Sequence, residues 1–236
     1  MLNGASLYVT WNGVVGVRAV LLDVGGVLVV PDPRAVGGVM GGHGGATDPD
    51  DLIRAHYRAV HEADGDDGDF DWPGYHTGLV VHSGVPVGAR ELCNQGMIEL
   101  VRAMPNLWSY PLPGMAATLR ALAGRYRLGI VSNNDGTVGR LLAEQGLCQL
   151  GAGPAAPVEV IVDSALAGVA KPDPRIFTLA LDVLGLPPEE VGYVGDTRAY
   201  DVSGARAAGL RPFHLDPYGF CVAADHEHLA DLADLL

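Results

Sequence analysis

The chain predicts an α/β fold, an open parallel sheet whose first strand is followed by an inserted α-helical cap. Three observations carry that expectation. From residue 113 onward, helical and strand patterns alternate with short connections, as in βαβ units. The run LLDVGGVLV at residues 21–29 is an apolar strand broken by a glycine turn, and it stands alone, far upstream of that alternation. Between the two, residues 31–110 change character, with a glycine-rich start and then helical patterns.

Taken in order, residues 1–17 form an N-terminal extension, because the first strand pattern begins only at Val17 or Arg18. Residues 18–30 and 111–236 make the core, and residues 31–110 the cap. Within the cap the helical stretches lie near 49–63, 74–83 and 88–103. The glycines from 37 to 45 read as a flexible loop or hinge, since no Gly-Lys-Ser/Thr follows them. The segment Ser109 to Gly114, with two prolines, reads as the second connection between cap and core. Residues 64–71 alternate aspartate with glycine but lack the glycine and glutamate positions of a calcium loop, so they read as a solvated acidic loop.

In the core, a helix from Pro113 to Ala123 ends at Gly124 and leads to a strand from Leu128 to Ser132. A helix from Thr137 to Gln145 ends at Gly146, before a strand from Val158 to Val162. Asp173 and Pro174 read as N-cap and first residue of a helix that stops at Gly185. A strand from Val191 to Gly195, a helix from about Asp201 to Ala208, and a strand from Arg211 to Leu215 complete a sheet of at least five members.

Composition narrows the function. A formal net charge of -13 without any basic block argues against nucleic acid and anionic membrane surfaces, so the expected partner is a small molecule and the expected assembly a monomer or homodimer. Cys93, Cys148 and Cys221 are scattered without CxxC spacing, which fits a reduced, cytoplasmic setting. Lys171 is the single lysine among 15 basic residues, and it lies in a KPDP motif where an ammonium differs physically from a guanidinium.

The candidate chemistry gathers at strand ends, where ligands of open α/β sheets collect. Asp23 ends strand one, Ser132 ends the VSNN strand and Asp196 opens GDTRAYD. Asp23 is the candidate nucleophile. An anionic carboxylate attacks phosphorus only when charge repulsion is relieved, and a hard divalent cation does this. Asp23, Asp196, Asp201 and the Gly25 carbonyl are its candidate oxygen ligands. Ser132, Asn133, the Gly26 N–H, the helix start at Thr137 and Lys171 are the candidate donors to phosphoryl oxygens.

These four motifs, over residues 18 to 216, resemble the haloacid dehalogenase-like (HAD-like) superfamily, specifically its members with a helical cap after the first strand. The resemblance implies a Rossmann-like core, Mg2+ as cofactor, and a phosphatase working through an aspartyl-phosphate on a small phosphorylated metabolite. It assigns the nucleophile to Asp23, phosphate binding to Ser132, steadying of the intermediate to Lys171, and the metal to Asp196 with Asp201. One position departs: phosphatases of the family read Asp-x-Asp, and this chain has Gly25 where the second aspartate protonates the leaving group. Loss of a general acid costs roughly 10²- to 10⁴-fold, least for acyl, aryl or anomeric sugar phosphates. Asp32, His43, His56, His61 and His76 are candidate substitutes, and Arg34, Arg54, Arg58, Tyr57, Trp72 and Tyr75 candidate substrate contacts. The alternatives are a 2-haloacid dehalogenase-type hydrolase, disfavoured by the acidic pair Asp196 and Asp201, and a non-catalytic relative that binds a phosphorylated ligand or partner.

Overall fold

The computed structural model describes residues 16–65 and 69–236. The expectation for the N-terminal extension therefore lies almost wholly outside the described residues. In chain order the elements are β1 (Ala19–Leu22), β2 (Val29–Pro31), α1 (Pro33–Gly42), α2 (Pro49–Ala63), α3 (Trp72–His82), α4 (Arg90–Ala103), β3 (Trp108–Pro111), α5 (Met115–Ala123), β4 (Arg127–Ser132), α6 (Val138–Glu144), β5 (Cys148–Leu150), β6 (Ala156–Val158), β7 (Val160–Asp163), α7 (Ser164–Ala167), α8 (Arg175–Leu184), β8 (Val191–Gly195), α9 (Ser203–Ala207), β9 (Arg211–Leu215) and β10 (Glu227–Leu229). A π-helical turn, Arg198–Val202, leads into α9.

Six strands form one parallel sheet in the order β10-β9-β8-β1-β4-β7. β1 is central, as the sequence predicts. Its four residues are fully buried, which explains a continuous apolar run rather than an alternating one. Leu22 is in register with Ile130 and Val194, so the residues just beyond the three strand ends rise side by side. That register is what positions the site.

The predicted strand Val158 to Val162 is broken in two. Val158 closes β6, which pairs with β5 in a small separate sheet, and Val160 opens β7 in the main sheet. Glu159 at the break donates its N–H to Leu128 O and pairs with Arg127. β10 has no counterpart in the sequence reading, because it follows a long irregular segment.

Helices α1 to α4 pack around a core of their own that includes Met40, Ala59, Tyr75, Leu79, Cys93 and Met97. They reach the sheet through an antiparallel ribbon, β2 with β3, pairing Val29 with Pro111 and Val30 with Tyr110. The glycine run is not the loop that composition suggests. Residues 37–42 belong to α1, where Asp32 caps the Arg34 N–H, Pro33 takes the first turn, and Val36 and Met40 are buried. The weak intrinsic propensity of glycine is overridden by close packing: a Cβ on Gly41 would lie 2.5 Å from Thr47 Cγ2. In the second expected connection, Ser109 to Gly114, Tyr110 and Pro111 pair with Val30 and Val29, so its first part is paired backbone.

The acidic stretch 64–71 is also corrected in part. Residues 66–68 lie outside the described residues, but Asp64 is buried and accepts the N–H groups of Arg198 and Ala199 at 2.6 and 2.8 Å, capping the π-helical turn from across the cleft. Asp71 caps α3 through the Gly74 N–H. Among the described residues no helix is long and apolar enough to cross a membrane.

Asp64→Ala strands one buried and one half-buried N–H group and is expected to lower the unfolding free energy by about 2–4 kcal/mol, whereas Asp69→Ala, on the exposed part of the same segment, changes it by less than about 0.5 kcal/mol. Urea unfolding of the two variants measures the difference.

Candidate active site

Asp23 stands one residue beyond β1, with its N–H bonded to Val194 O at 2.9 Å. Its Oδ2 pairs with Lys171 Nζ at 2.9 Å. Oδ1 is buried and has no hydrogen-bond partner. Lys171 also donates to Asp201 Oδ1 at 2.6 Å and to the Tyr193 hydroxyl at 2.8 Å. The Tyr193 hydroxyl in turn donates to Asp201 Oδ1 at 2.8 Å, and Thr197 gives Asp201 Oδ2 both its N–H (3.0 Å) and its hydroxyl (2.6 Å).

Asp23, Gly25, Ser132, Asn133, Lys171, Asp196 and Asp201 line one cavity of about 420 Å³. The structure thus brings together all but one of the predicted site residues. Gly26 is the exception: its N–H is committed to Val29 O at 2.8 Å and is no phosphate donor. Its role is spatial. It sits at φ +68°, and a Cβ there would lie 1.8 Å from Asp196 Oδ2, so only glycine lets the turn and the fourth-motif acid meet.

Asn133 also acts differently from expectation. Its Oδ1 accepts the Lys171 N–H at 2.8 Å and its Nδ2 donates to Lys171 O at 3.0 Å, so the side chain clamps the lysine backbone. The N-terminus of α6 is satisfied internally, with Gly136 and Val138 N–H on the buried Asp163 carboxylate and Thr137 N–H on Asp135. Asp201 has both oxygens engaged by Lys171, Tyr193 and Thr197, which makes it the residue that orients the lysine.

Burial sets the electrostatics. It raises Asp23 above the ordinary carboxylate range, an effect partly offset by Lys171. It raises Asp196 further, reinforced by the charges of Asp201 and Asp23. Burial alone would depress the Lys171 ammonium, but Asp201 and Asp23 outweigh it and hold the lysine above its usual value. For Asp201, Lys171 and the hydrogen bonds from Thr197 and Tyr193 overcome burial and lower it. Asp23, Asp196 and Asp201 present carboxylate oxygens within 4.8 Å of one another. With all three ionised, three carboxylates against one ammonium would leave two negative charges, which a bound cation would offset, and the donors are hard oxygens. That set fits a hard divalent cation such as magnesium, held by Asp23 and Asp196.

None of the expected substitute acids lines the cavity. Asp32 caps α1. His56 is buried against the Tyr75 hydroxyl, and desolvation pushes it down to about 3. His61 packs near Phe220, His43 lies in the turn after α1, and His76 lies on α3 outside the cavity lining. Of the expected substrate contacts only Trp72 reaches the cavity; Arg54 and Arg58 stack over Phe220, and Tyr57 donates its hydroxyl to Gly26 O at 2.7 Å. Sequence reasoning misses Phe70, Trp108 and Tyr200 as wall residues. It also misses what lies beside position 25: a Cβ there would meet the Trp108 ring at 3.3 Å, so the indole would have to give by a few tenths of an ångström to admit one. Trp108 belongs to β3, and nothing in its local sequence signals that contact.

A family model described as haloacid dehalogenase-like hydrolase matches residues 17–209. A phosphoserine phosphatase of Thermus thermophilus is 38% identical over 133 residues, 56% of this chain and 49% of that protein. The chain therefore matches about half the length of that curated relative. Among solved structures, a HAD phosphatase from Thermococcus onnurineus (21% identical, TM-score 0.55, covering 92% of this chain and 95% of the other) and a 2-haloacid dehalogenase from Pseudomonas syringae (21% identical, TM-score 0.55, covering 93% and 96%) share the fold. With the parallel sheet, the four strand-end motifs and a match spanning most of its length, the chain belongs to the haloacid dehalogenase-like hydrolases.

Proposed function

We propose that the protein is a magnesium-dependent phosphatase that forms an aspartyl-phosphate on Asp23 and acts on small phosphate monoesters with an uncharged, aromatic leaving group. One observation carries the reading: Asp23 Oδ1 lies unpartnered in the cavity that Ser132 and Lys171 share, beside a carboxylate set two charges short of neutrality. Magnesium, when bound, supplies the positive charge that lets an anionic nucleophile and an anionic phosphate approach each other.

In the first step an Asp23 carboxylate oxygen bonds to phosphorus as the ester oxygen leaves with the bonding electrons. Ser132 holds a phosphoryl oxygen and the Lys171 ammonium, with its donors on Asp23, Asp201 and Tyr193, offsets the phosphoryl charge, while Asn133 and Asp201 keep the lysine in place. Water then attacks phosphorus, and the break of its bond to Asp23 releases phosphate and restores the carboxylate. No side chain at position 25 delivers a proton to the departing oxygen, which favours leaving groups stable as anions.

The cavity supports the same choice. Lys171 is its one cationic side chain among the described residues, and its donors are taken by Asp23, Asp201 and Tyr193; Phe70, Trp72, Trp108 and Tyr200 form aromatic walls. Such walls suit a flat ring better than a second carboxylate or phosphate.

Asp23→Asn is expected to abolish turnover of p-nitrophenyl phosphate with magnesium while leaving the circular dichroism spectrum unchanged. Tight phosphate binding by the wild type without turnover of any ester would instead favour the non-catalytic reading.

A second prediction concerns Trp108. Gly25→Asp alone should leave the rate on alkyl phosphates within about threefold of wild type, because the indole blocks the new carboxyl, whereas Gly25→Asp with Trp108→Ala should raise it about 10²-fold. Steady-state kcat on an alkyl and an aryl ester reads both arms.

A further inference from the structure

A second cluster of ligand-type side chains lies on the far side of Asp196, where the chain folds back after β9. His214 is in β9, Cys221 in the irregular segment after it, and His226 and His228 flank the start of β10. One donor atom from each of the four lies within 4.8 Å of the other three. His214 Nδ1 and His226 Nε2 are 3.0 Å apart, and Cys221 Sγ is 3.8 Å from His226 Nε2. The His226 side chain is 1% exposed.

The protons of these rings are fixed from outside the cluster. His214 Nε2 faces Asp196 O at 3.1 Å, His226 Nδ1 faces Asp225 Oδ1 at 2.8 Å, and His228 Nε2 faces Ala223 O at 2.9 Å. Each of these oxygens only accepts, so each remote nitrogen is the donor. A neutral imidazole has one proton, which leaves lone pairs on His214 Nδ1, on His226 Nε2 beside the Cys221 thiol, and on His228 Nδ1, 3.9 Å from Asp216 Oδ2. Two lone pairs at 3.0 Å repel unless a cation lies between them. Distal bonds to carbonyl and carboxylate oxygens are also how metal-bound histidines are oriented.

We infer that His214, Cys221, His226 and His228 form a structural site for a tetrahedral, nitrogen- and sulfur-preferring divalent cation, zinc. Zinc bonds of about 2.0–2.3 Å place neighbouring ligand atoms roughly 3.3–3.6 Å apart, between the shorter and longer separations in this cluster. Four protein ligands close the coordination shell, so the ion is structural and activates no water. On binding, the Cys221 thiol gives up its proton to solvent as the S–Zn bond forms.

The ion has a clear task. Residues 216–226 contain no helix or strand, and Asp216 holds them from one side by accepting the N–H groups of Phe220 and Cys221 at 3.0 and 2.8 Å. Tyr218 and Phe220 on this segment support α2: Arg54 lies over Tyr218 and Arg58 over Phe220, and Tyr57 packs on Tyr218. Zinc at the four ligands fastens the seat on which the helical layer rests.

The test uses the full chain, untagged and purified without chelators. Elemental analysis should find about one zinc per chain, undiminished by Asp23→Asn and lost in the Cys221→Ser, His228→Gln double variant. Cobalt added to chelator-stripped wild type should give the intense visible bands of a tetrahedral site and a near-ultraviolet thiolate charge-transfer band, the latter absent in Cys221→Ser. Excess magnesium should displace neither metal. The inference is overturned by a wild type that is zinc-free and gives no tetrahedral cobalt spectrum, since such a cluster would be held by a protonated histidine alone. It is equally overturned if Asp23→Asn, and not the double variant, removes the zinc.

Discussion

The buried ammonium of Lys171, set among carboxylates above the central strand, is the interaction on which the site depends. Removing it would leave Asp23, Asp196 and Asp201 as mutually repelling charges with little solvent to screen them. The surrounding fold is arranged to keep it there. Asn133 grips its backbone, Tyr193 and Asp201 take its remaining donors, and Thr197 steadies Asp201 in turn. The compact ammonium serves three partners from a single nitrogen, where a guanidinium spreads its donors over a rigid planar fork, which is a physical reason for a chain rich in arginine to have lysine at this one position.

Sheet register does the rest of the positioning. Because β1 runs between β4 and β8, in step with both, three polar residues that are far apart in sequence emerge together. Polar residues at the ends of apolar runs are for that reason legible in the sequence itself: Asp23, Ser132 and Asp196 need only the alternation of strand and helix to be brought into one place. The break within 158–162 is not legible in the same way, because periodicity does not reveal that the chain leaves one sheet at Glu159 and enters another at the next residue.

Other features are hidden by context. The helix α1 is unreadable because four of its ten residues are glycine, and what sustains it is contact with Thr47 and Leu52 rather than propensity. Asp64 sits in a run of acids whose composition speaks of solvent, yet its carboxylate caps a turn 134 positions away. Asn133 resembles a ligand donor, since an amide after a strand reads the same whether it meets a phosphate or a backbone. The His and Cys residues between 214 and 228 follow no regular ligand spacing, and only folding back of the chain gathers them.

The indole over Gly25 has a mechanical corollary. Trp108 lies on one of the two strands that tether the helical layer to the sheet, and its ring touches the nucleophile's own turn. The wall beside the reactive carboxylate is therefore supplied by the same ribbon that joins the helical layer to the sheet, through a single side chain. A side chain of the connecting ribbon, rather than one borne by the turn itself, thus occupies the space beside position 25.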